Sequence, residues 1–294
     1  MKDYKTDQDF GILDIPLSCS LFLEPALKKY LNCITPVPTE IQKFIAEWNK
    51  VLVSTVRKSH SKLLGSVGKK LLRETGYRPS PLEFAKKCVE VSETVSVHSY
   101  HYAIRWSESY DFATKKINAL QSNFINPVVI EMGSGLSPFM PALMQQFKDI
   151  TAYSIEFPEV MEVFEGIANN MGIRAPSAAA IKDIDNGQID PSIFISTGTF
   201  AYIPLSEQFK ILRIIEKHVP HFYIEIKYDR NPDGNNPNMF SLQDLQKLKL
   251  NTDNADTLEL LALRNSLRYA NKFLREIPEF KDYIEKQVSV FLSR

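Results

Sequence analysis

Pro127-Val-Val-Ile-Glu-Met-Gly-Ser-Gly-Leu-Ser-Pro138 is the stretch on which the fold turns. Val128-Val-Ile130 is an apolar run bounded by proline and glycine, too short for a helix, and it predicts a buried strand. Gly133 and Gly135 supply a tight turn, and a helix over residues 138–148 follows with Ser137 as its cap. Downstream, Ser154-Ile-Glu-Phe157 ends a second strand on a carboxylate. Gly135 and Glu156 stand 21 residues apart. That spacing suits a βαβ unit whose glycines admit a nucleoside-bearing ligand and whose acid grips a ribose.

Outward from this unit, strands and helices alternate. Residues 152–156 are expected as the second strand, 158–171 as a helix stopped by Gly172, and 178–181 as a weak third strand. Residues 193–195 give the fourth strand, 206–218 a helix and 222–228 the fifth strand. This alternation implies a Rossmann-like α/β fold, a mostly parallel sheet with helices on both faces. The fifth run alternates Phe222, Ile224 and Ile226 against Tyr223, Glu225 and Lys227, where a fully buried strand is apolar throughout. Its polar side therefore faces either a ligand cleft or the edge of the sheet.

Before Pro127 the pattern is helical. Thr39-Glu-Ile-Gln42 has the form of a capping box, and Ile41, Phe44, Ile45, Trp48, Leu52 and Val56 fall on one helical face. Gly76 and Pro79 close that region, Ser80-Pro-Leu-Glu83 repeats the start signal, and a third helix is expected over 109–124. Asn231-Pro-Asp-Gly-Asn-Asn-Pro-Asn238 is a loop on composition, either a lid or an insertion. The tail beyond it reads as mostly helical, with 287–292 as a last strand. Residues 1–124 are thus expected to form a helical cap and substrate region, and 125–294 a Rossmann-like cofactor-binding domain.

Composition narrows the classes. The chain has 294 residues, 44% hydrophobic and 24% charged, enough for a substantial core. Its 35 basic and 35 acidic residues cancel, so no global field recruits nucleic acid or an anionic membrane. The lysine-rich stretch 57–70 interleaves with apolar residues and fits a solvated helix face. Cys19, Cys33 and Cys88 are odd in number and lack metal-ligand spacing, which favours a reducing compartment. Residues 1–7 lack the apolar segment of a secretory signal, and no run approaches the roughly 18 uncharged apolar residues of a membrane span. A cytoplasmic protein is expected.

The turn discriminates between nucleoside cofactors. A pyrophosphate is served best by a free helix N-terminus and a third glycine, but position 138 is proline and lacks an N–H. S-adenosylmethionine instead brings an ammonium and a sulfonium, which Glu131 at the end of the first strand favours. Glu131 as a simple turn cap is the plainer alternative. Ser196-Thr-Gly-Thr-Phe-Ala-Tyr202 adds a small-residue turn after the fourth strand.

Gly133-Ser-Gly-Leu136, Glu156-Phe-Pro-Glu-Val160 and Thr197-Gly-Thr-Phe-Ala-Tyr-Ile203 together resemble the class I S-adenosylmethionine-dependent methyltransferases. Within them the likeness is to the leucine carboxyl methyltransferase and polyketide O-methyltransferase group, over residues 95–228. The resemblance implies methyl transfer, a helical N-terminal cap and a set of site residues. Gly133, Ser134 and Gly135 would line the methionine moiety, with Glu131 near its ammonium through water. Glu156 would hold the ribose, Phe157 lie against adenine, and Asp183 bond the adenine amine. Arg105 would pair with the cofactor carboxylate. Thr197 stands where the group has glutamate, a departure that touches the subgroup more than the class.

Methyl transfer from a sulfonium is an in-line displacement, accelerated largely by alignment. A carboxylate acceptor needs no base, whereas a phenol, alcohol or amine can require one. Val97-His-Ser-Tyr-His-Tyr-Ala-Ile-Arg-Trp106 gathers titratable and aromatic groups, with His101 as base and Tyr102 beside it in an acceptor pocket. Aromatic packing alone explains the same residues. Tyr202 either borders that pocket or is structural. No metal-ligand motif, phosphate loop or nucleophile turn is present in the sequence. The expected partner is a small molecule or a terminal carboxylate, and the amphipathic first third suits an active-site cover or a homodimer surface equally. Three rivals stand beside this reading: an aminocarboxypropyl transferase of the nicotianamine-synthase kind, a non-catalytic binding protein of the same fold, and a nicotinamide dehydrogenase.

Overall fold

A computed structural model describes residue 23 and residues 37–59, 97–229, 259–262 and 287–293. In chain order these comprise α1 (Thr39–Ser59), α2 (Val97–Ser122), β1 (Val128–Met132), α3 (Phe139–Gln146), β2 (Thr151–Ile155), α4 (Pro158–Asn170) and β3 (Ser177–Ala178). There follow α5 (Ile181–Asp185), β4 (Ile193–Ser196), a 3₁₀ turn (Phe200–Tyr202), α6 (Leu205–His218), β5 (His221–Asp229), β6 (Glu259–Ala262) and β7 (Gln287–Ser293). The sequence signals at 76–83 and 231–238, and the three cysteines, lie outside the described residues.

The strands form one sheet in the order β3-β2-β1-β4-β5-β7-β6. β3, β2, β1, β4 and β5 run parallel, while β7 is antiparallel to both β5 and β6. The fold is α/β and Rossmann-like. The chain winds outward from β1 to β3, then resumes at β4 on the other side of β1, so the switch point of the sheet lies between β1 and β4.

The residues group into two compact units. The first takes α1 with the segments Ser134–Lys148 and Glu156–Pro176, which carry α3 and α4. Its core is Trp48, Leu52, Leu136, Val160, Val163, Phe164 and Ile167. Trp48 tilts against Phe164 at 5.0 Å between ring centroids, both fully buried. Truncating either ring would cost about 3–5 kcal/mol. Asn170 donates its amide to Thr55 Oγ1 at 2.9 Å, fixing the register of α1 on α4. α4 ends in a Schellman motif: Gly172 takes φ 65°, its N–H meets Asn169 O, and Ile173 N–H reaches back to Ala168 O. Gly172 therefore stops this helix as its sequence position predicts.

The second unit holds the sheet with most of α2 and with α5 and α6. Alternation along each strand separates two faces. Ile130, Phe194, Phe222, Ile224 and Ile226 pack with Ile184, Leu212 and Ile215 of α5 and α6. On the opposite face, Tyr223 meets Phe112 of α2 at 5.4 Å. Helices thus cover both faces of this sheet.

Several local expectations need correction. β5 lies between β4 and β7, so its polar side does not mark a sheet edge; Tyr223 and Glu225 are buried instead. α2 begins at Val97 rather than 109 and places the His98–Arg105 segment inside a helix. Glu259–Ala262 is a strand where helix was expected, because it pairs with β7. The capping box at Thr39 does not form. Gln42 reaches back with its amide to Val37 O at 2.7 Å, and its N–H bonds Pro38 O, so the helix starts one residue earlier than the box requires. Ser137 does act at the start of α3, accepting the Phe139 N–H at 3.2 Å, although Pro138 occupies the cap position.

Candidate functional site

In the helical unit, Ser134–Leu136 forms a turn held at both its donors and its acceptors. Ser137 N–H closes it on Ser134 O at 3.0 Å. Gly135 takes φ 53°, a left-handed conformation that costs glycine no Cβ clash. Its N–H donates to Glu156 Oε2 at 2.7 Å, and Glu156 Oε1 accepts the N–H of Phe157 at 2.9 Å. The 21-residue spacing read from sequence is therefore a direct contact. Each carboxylate oxygen keeps a further lone pair for a ligand hydroxyl. On the far side of the turn, the Trp48 indole N–H donates to Leu136 O at 2.9 Å.

Two side chains that flank these contacts in the sequence, Ser134 before Gly135 and Phe157 after Glu156, differ in exposure. Ser134 is 3% exposed, and its Oγ has no hydrogen-bond partner among the described residues. A buried hydroxyl left unpaired costs about 1–3 kcal/mol, so a native turn holding one calls for a polar occupant. Phe157, next to Glu156, is 60% exposed, an aromatic face left to solvent.

In the sheet unit, β1 brings Glu131 to its penultimate position, 6% exposed. Its neighbours in register are Ser154 on β2 and Ile195 on β4, and Ile195 in turn pairs with Tyr223. These residues share the face of the sheet that α2 covers. Gly133 follows β1 with φ 73°, and its N–H extends the ladder to Ile155 O at 2.9 Å. A Cβ at Gly133 would stand 1.8 Å from Thr199 Oγ1 and 2.6 Å from Thr199 Cβ. Thr199 Oγ1 also donates to Met132 O at 3.3 Å. The first glycine is thus demanded by protein packing as well as by backbone conformation. Sequence reading passed over Thr199, whose proximity depends on the pairing of β1 with β4.

Asp183 lies in α5, where Oδ2 accepts Ala180 N–H at 2.7 Å and starts the helix. Thr197 is half-buried directly after β4. Tyr202, in the 3₁₀ turn, is 51% exposed. His101, Tyr102 and Arg105 lie in the first turns of α2; their side chains fall outside the described residues. His218 closes α6 and His221 opens β5, as their spacing indicates. Among the described residues no group of histidines, cysteines or carboxylates is spaced to hold a metal ion. Nor is any described helix long and apolar enough to cross a membrane.

The polar face of β5 contributes a second group that the sequence did not single out as a site. Tyr223 donates its hydroxyl to Glu108 Oε2 at 3.1 Å. Burial pushes the Glu108 carboxyl up to about 7; the Tyr223 hydrogen bond opposes this, and the charges of Glu225 and Asp111 add to it. Burial likewise raises the phenol of Tyr110, which stacks on Trp106 at 4.9 Å. The alternation of polar residues on β5 was the available signal for Tyr223 and Glu225. Nothing local in the sequence pointed to Glu108.

No family model matches the chain, and no curated protein matches it. Solved structures align in part. A putative sarcosine dimethylglycine methyltransferase from Galdieria sulphuraria aligns at 13% identity and a TM-score of 0.42, over 65% of this chain and 86% of that one. An S-adenosylmethionine-dependent methyltransferase from Clostridium acetobutylicum aligns at 18% identity and TM-score 0.34, over 50% and 57%. The bifunctional kinase-methyltransferase WbdD aligns at 17% identity and TM-score 0.36, over 42% of this chain and 30% of its own. The chain therefore spans under a third of WbdD. These alignments are partial and distant.

Proposed function

We propose that the chain is an S-adenosylmethionine-dependent methyltransferase acting on a small molecule or a terminal carboxylate. One observation carries the reading: the Glu156 carboxylate is turned onto the Gly135 N–H at 2.7 Å. A carboxylate so placed, with an orphaned Ser134 hydroxyl preceding Gly135 in the chain and an exposed Phe157 ring following Glu156, fits a ligand that offers hydroxyl donors and an aromatic base. The cofactor supplies a sulfonium-bound methyl group as the electrophile.

The chain's own residues bind and orient. Glu156 accepts from the ribose hydroxyls, and Phe157 offers its ring to adenine. Gly133, Ser134 and Gly135 line the methionine moiety, and the carboxylate of Glu131 serves its ammonium. Arg105 pairs with the cofactor carboxylate, while Asp183 and Thr197 complete the adenine and β4 sides. On the acceptor side His101 takes a proton from acceptors that need deprotonation, with Tyr102 shaping the pocket. In this account residues 1–124 act as substrate cap and 125–294 bind cofactor in a cytoplasmic enzyme, one whose first third is also available to pair with a second copy. The leucine carboxyl and polyketide O-methyltransferase group is the proposed subgroup.

A second reading is favoured by Thr199, whose side chain fills the space beside Gly133. It makes the chain a non-catalytic protein that kept the fold. A thermal-shift screen with S-adenosylmethionine, S-adenosylhomocysteine and NAD separates the readings at the first step. Stabilisation by the first two alone is expected, growing with the ratio of ligand to Kd. Binding without methyl-acceptor turnover would leave the second reading, and stabilisation by NAD alone would replace both.

A further inference from the structure

Trp48 lies 88 residues before the carbonyl that it bonds, on a helix that sequence alone assigns to a substrate cap. It is fully buried, as is Leu136, and its N–H reaches the backbone of the glycine turn at 2.9 Å. The same ring packs on Phe164 of α4, the helix that begins immediately after Glu156 and Phe157. Thr55, two turns further along α1, accepts from Asn170 at the other end of α4. One helix thus holds both the turn that carries Gly135 and the helix whose start carries the acid facing it.

We propose that α1 is a brace for the cofactor turn, and that Trp48 is a positioning residue that sets cofactor affinity through its indole N–H. This rests on the methyl-donor reading given above. A turn that binds through its backbone and through Ser134 binds well only when its dihedrals are already fixed, because ordering it at the moment of binding subtracts from affinity. Gly135 makes this acute: with φ 53° and no Cβ, it has more conformations to lose than any other residue. The Glu156 carboxylate fixes its donor side and Trp48 fixes its acceptor side. Without the indole N–H, Leu136 O is left buried and unpaired, and the turn is free to rotate that peptide.

The test uses the full chain and S-adenosylhomocysteine as the probe, by titration calorimetry. Trp48→Phe keeps a ring against Phe164 and removes the N–H; it is expected to weaken binding about tenfold. Asn170→Ala is the control, since it loosens α1 on α4 without touching the turn, and it should lower Tm while leaving Kd within about twofold. A Trp48→Phe protein that binds as tightly as wild type overturns the brace alone. A parallel loss in both variants also overturns it, by reducing Trp48 to a stability contact. Absence of binding by the wild type would remove the methyl-donor reading and the brace with it.

A second measurement leaves Trp48 in place. The chain has two tryptophans, so ¹⁵N-tryptophan labelling gives two indole signals, assigned by Trp106→Phe. Addition of S-adenosylhomocysteine should shift the Trp48 indole resonance and slow the exchange of its proton. An indole signal unmoved by saturating ligand would overturn the proposal.

Discussion

Two polar groups, one in each compact unit, are built on opposite principles. Around the Ser134–Leu136 turn, one carboxylate and one indole are matched to the Gly135 N–H and the Leu136 carbonyl. Between α2 and β5, Glu108 shares a buried space with the charge of Glu225 and is relieved by one phenol hydrogen bond. The first arrangement fixes a backbone turn from its donor and its acceptor side. The second stores a titratable group whose ionisation works against the fold. Burial alone therefore does not distinguish a cradle from a switch; the partner of each polar atom does.

The largest expected effect breaks the glycine turn from the sheet side. Gly133→Ala places a methyl group in the Thr199 side chain and forces a φ of 73° on alanine. The expected loss is about 3–5 kcal/mol in denaturant unfolding, close to the whole stability of a modest domain. Combining it with Thr199→Gly should return the steric share and leave about 1–2 kcal/mol of backbone strain. Full persistence of the loss in the double variant would show that Thr199 is not what the methyl meets.

Next in size is Glu108→Gln, which sharpens the contrast by removing the charge and keeping an acceptor for Tyr223. The wild-type carboxyl is raised from 4.5 to about 7. Between those values the folded state holds a proton that the unfolded chain has released, so stability falls as pH rises through that window. Glu108→Gln should therefore be more stable than wild type at pH 8, by about 1–2 kcal/mol after discounting for partial exposure, and equal to it near pH 5. Chemical unfolding across that range measures the difference. A flat difference would mean that Glu108 titrates in its ordinary range.

Smaller still is Tyr223→Phe. Its hydroxyl holds the Glu108 carboxyl down against the effect of burial. Its removal should carry the pH midpoint of the stability change upward and cost about 1 kcal/mol. A midpoint that moves downward, followed by carboxyl NMR, would contradict the hydrogen bond.

How legible these two regions were in the sequence follows from how local their determinants are. The strand at Val128, the turn at Gly133 and Gly135, the stop at Gly172 and the acid at Glu156 are each specified by a few adjacent residues, and each stands where it was expected. β6 was hidden because Glu-Leu-Leu-Ala favours helix by propensity and becomes a strand only through pairing with β7. The early start of α2 was missed, although Ser96, a residue of the capping type, stands immediately before it in the sequence. Thr199 against Gly133, and Glu108 against Tyr223 115 residues away, exist only once the sheet is assembled. The polar stripe of β5 and a helix over 109–124 were both visible, but not that Phe112 and Glu108 of α2 meet Tyr223 of the stripe. The roles assigned to His101 and Tyr102 come from the cluster of titratable and aromatic residues at 97–106, and that of Arg105 from the family resemblance.

Calorimetric titration of S-adenosylhomocysteine into wild type, Glu156→Ala and Glu108→Gln at one pH tests the central claim most directly. Glu156 should be indispensable and Glu108 irrelevant to binding: the first variant should lose detectable affinity while the second keeps the wild-type Kd. Equal Kd values for wild type and Glu156→Ala would contradict the account, by showing that the carboxylate on the glycine turn serves only the turn.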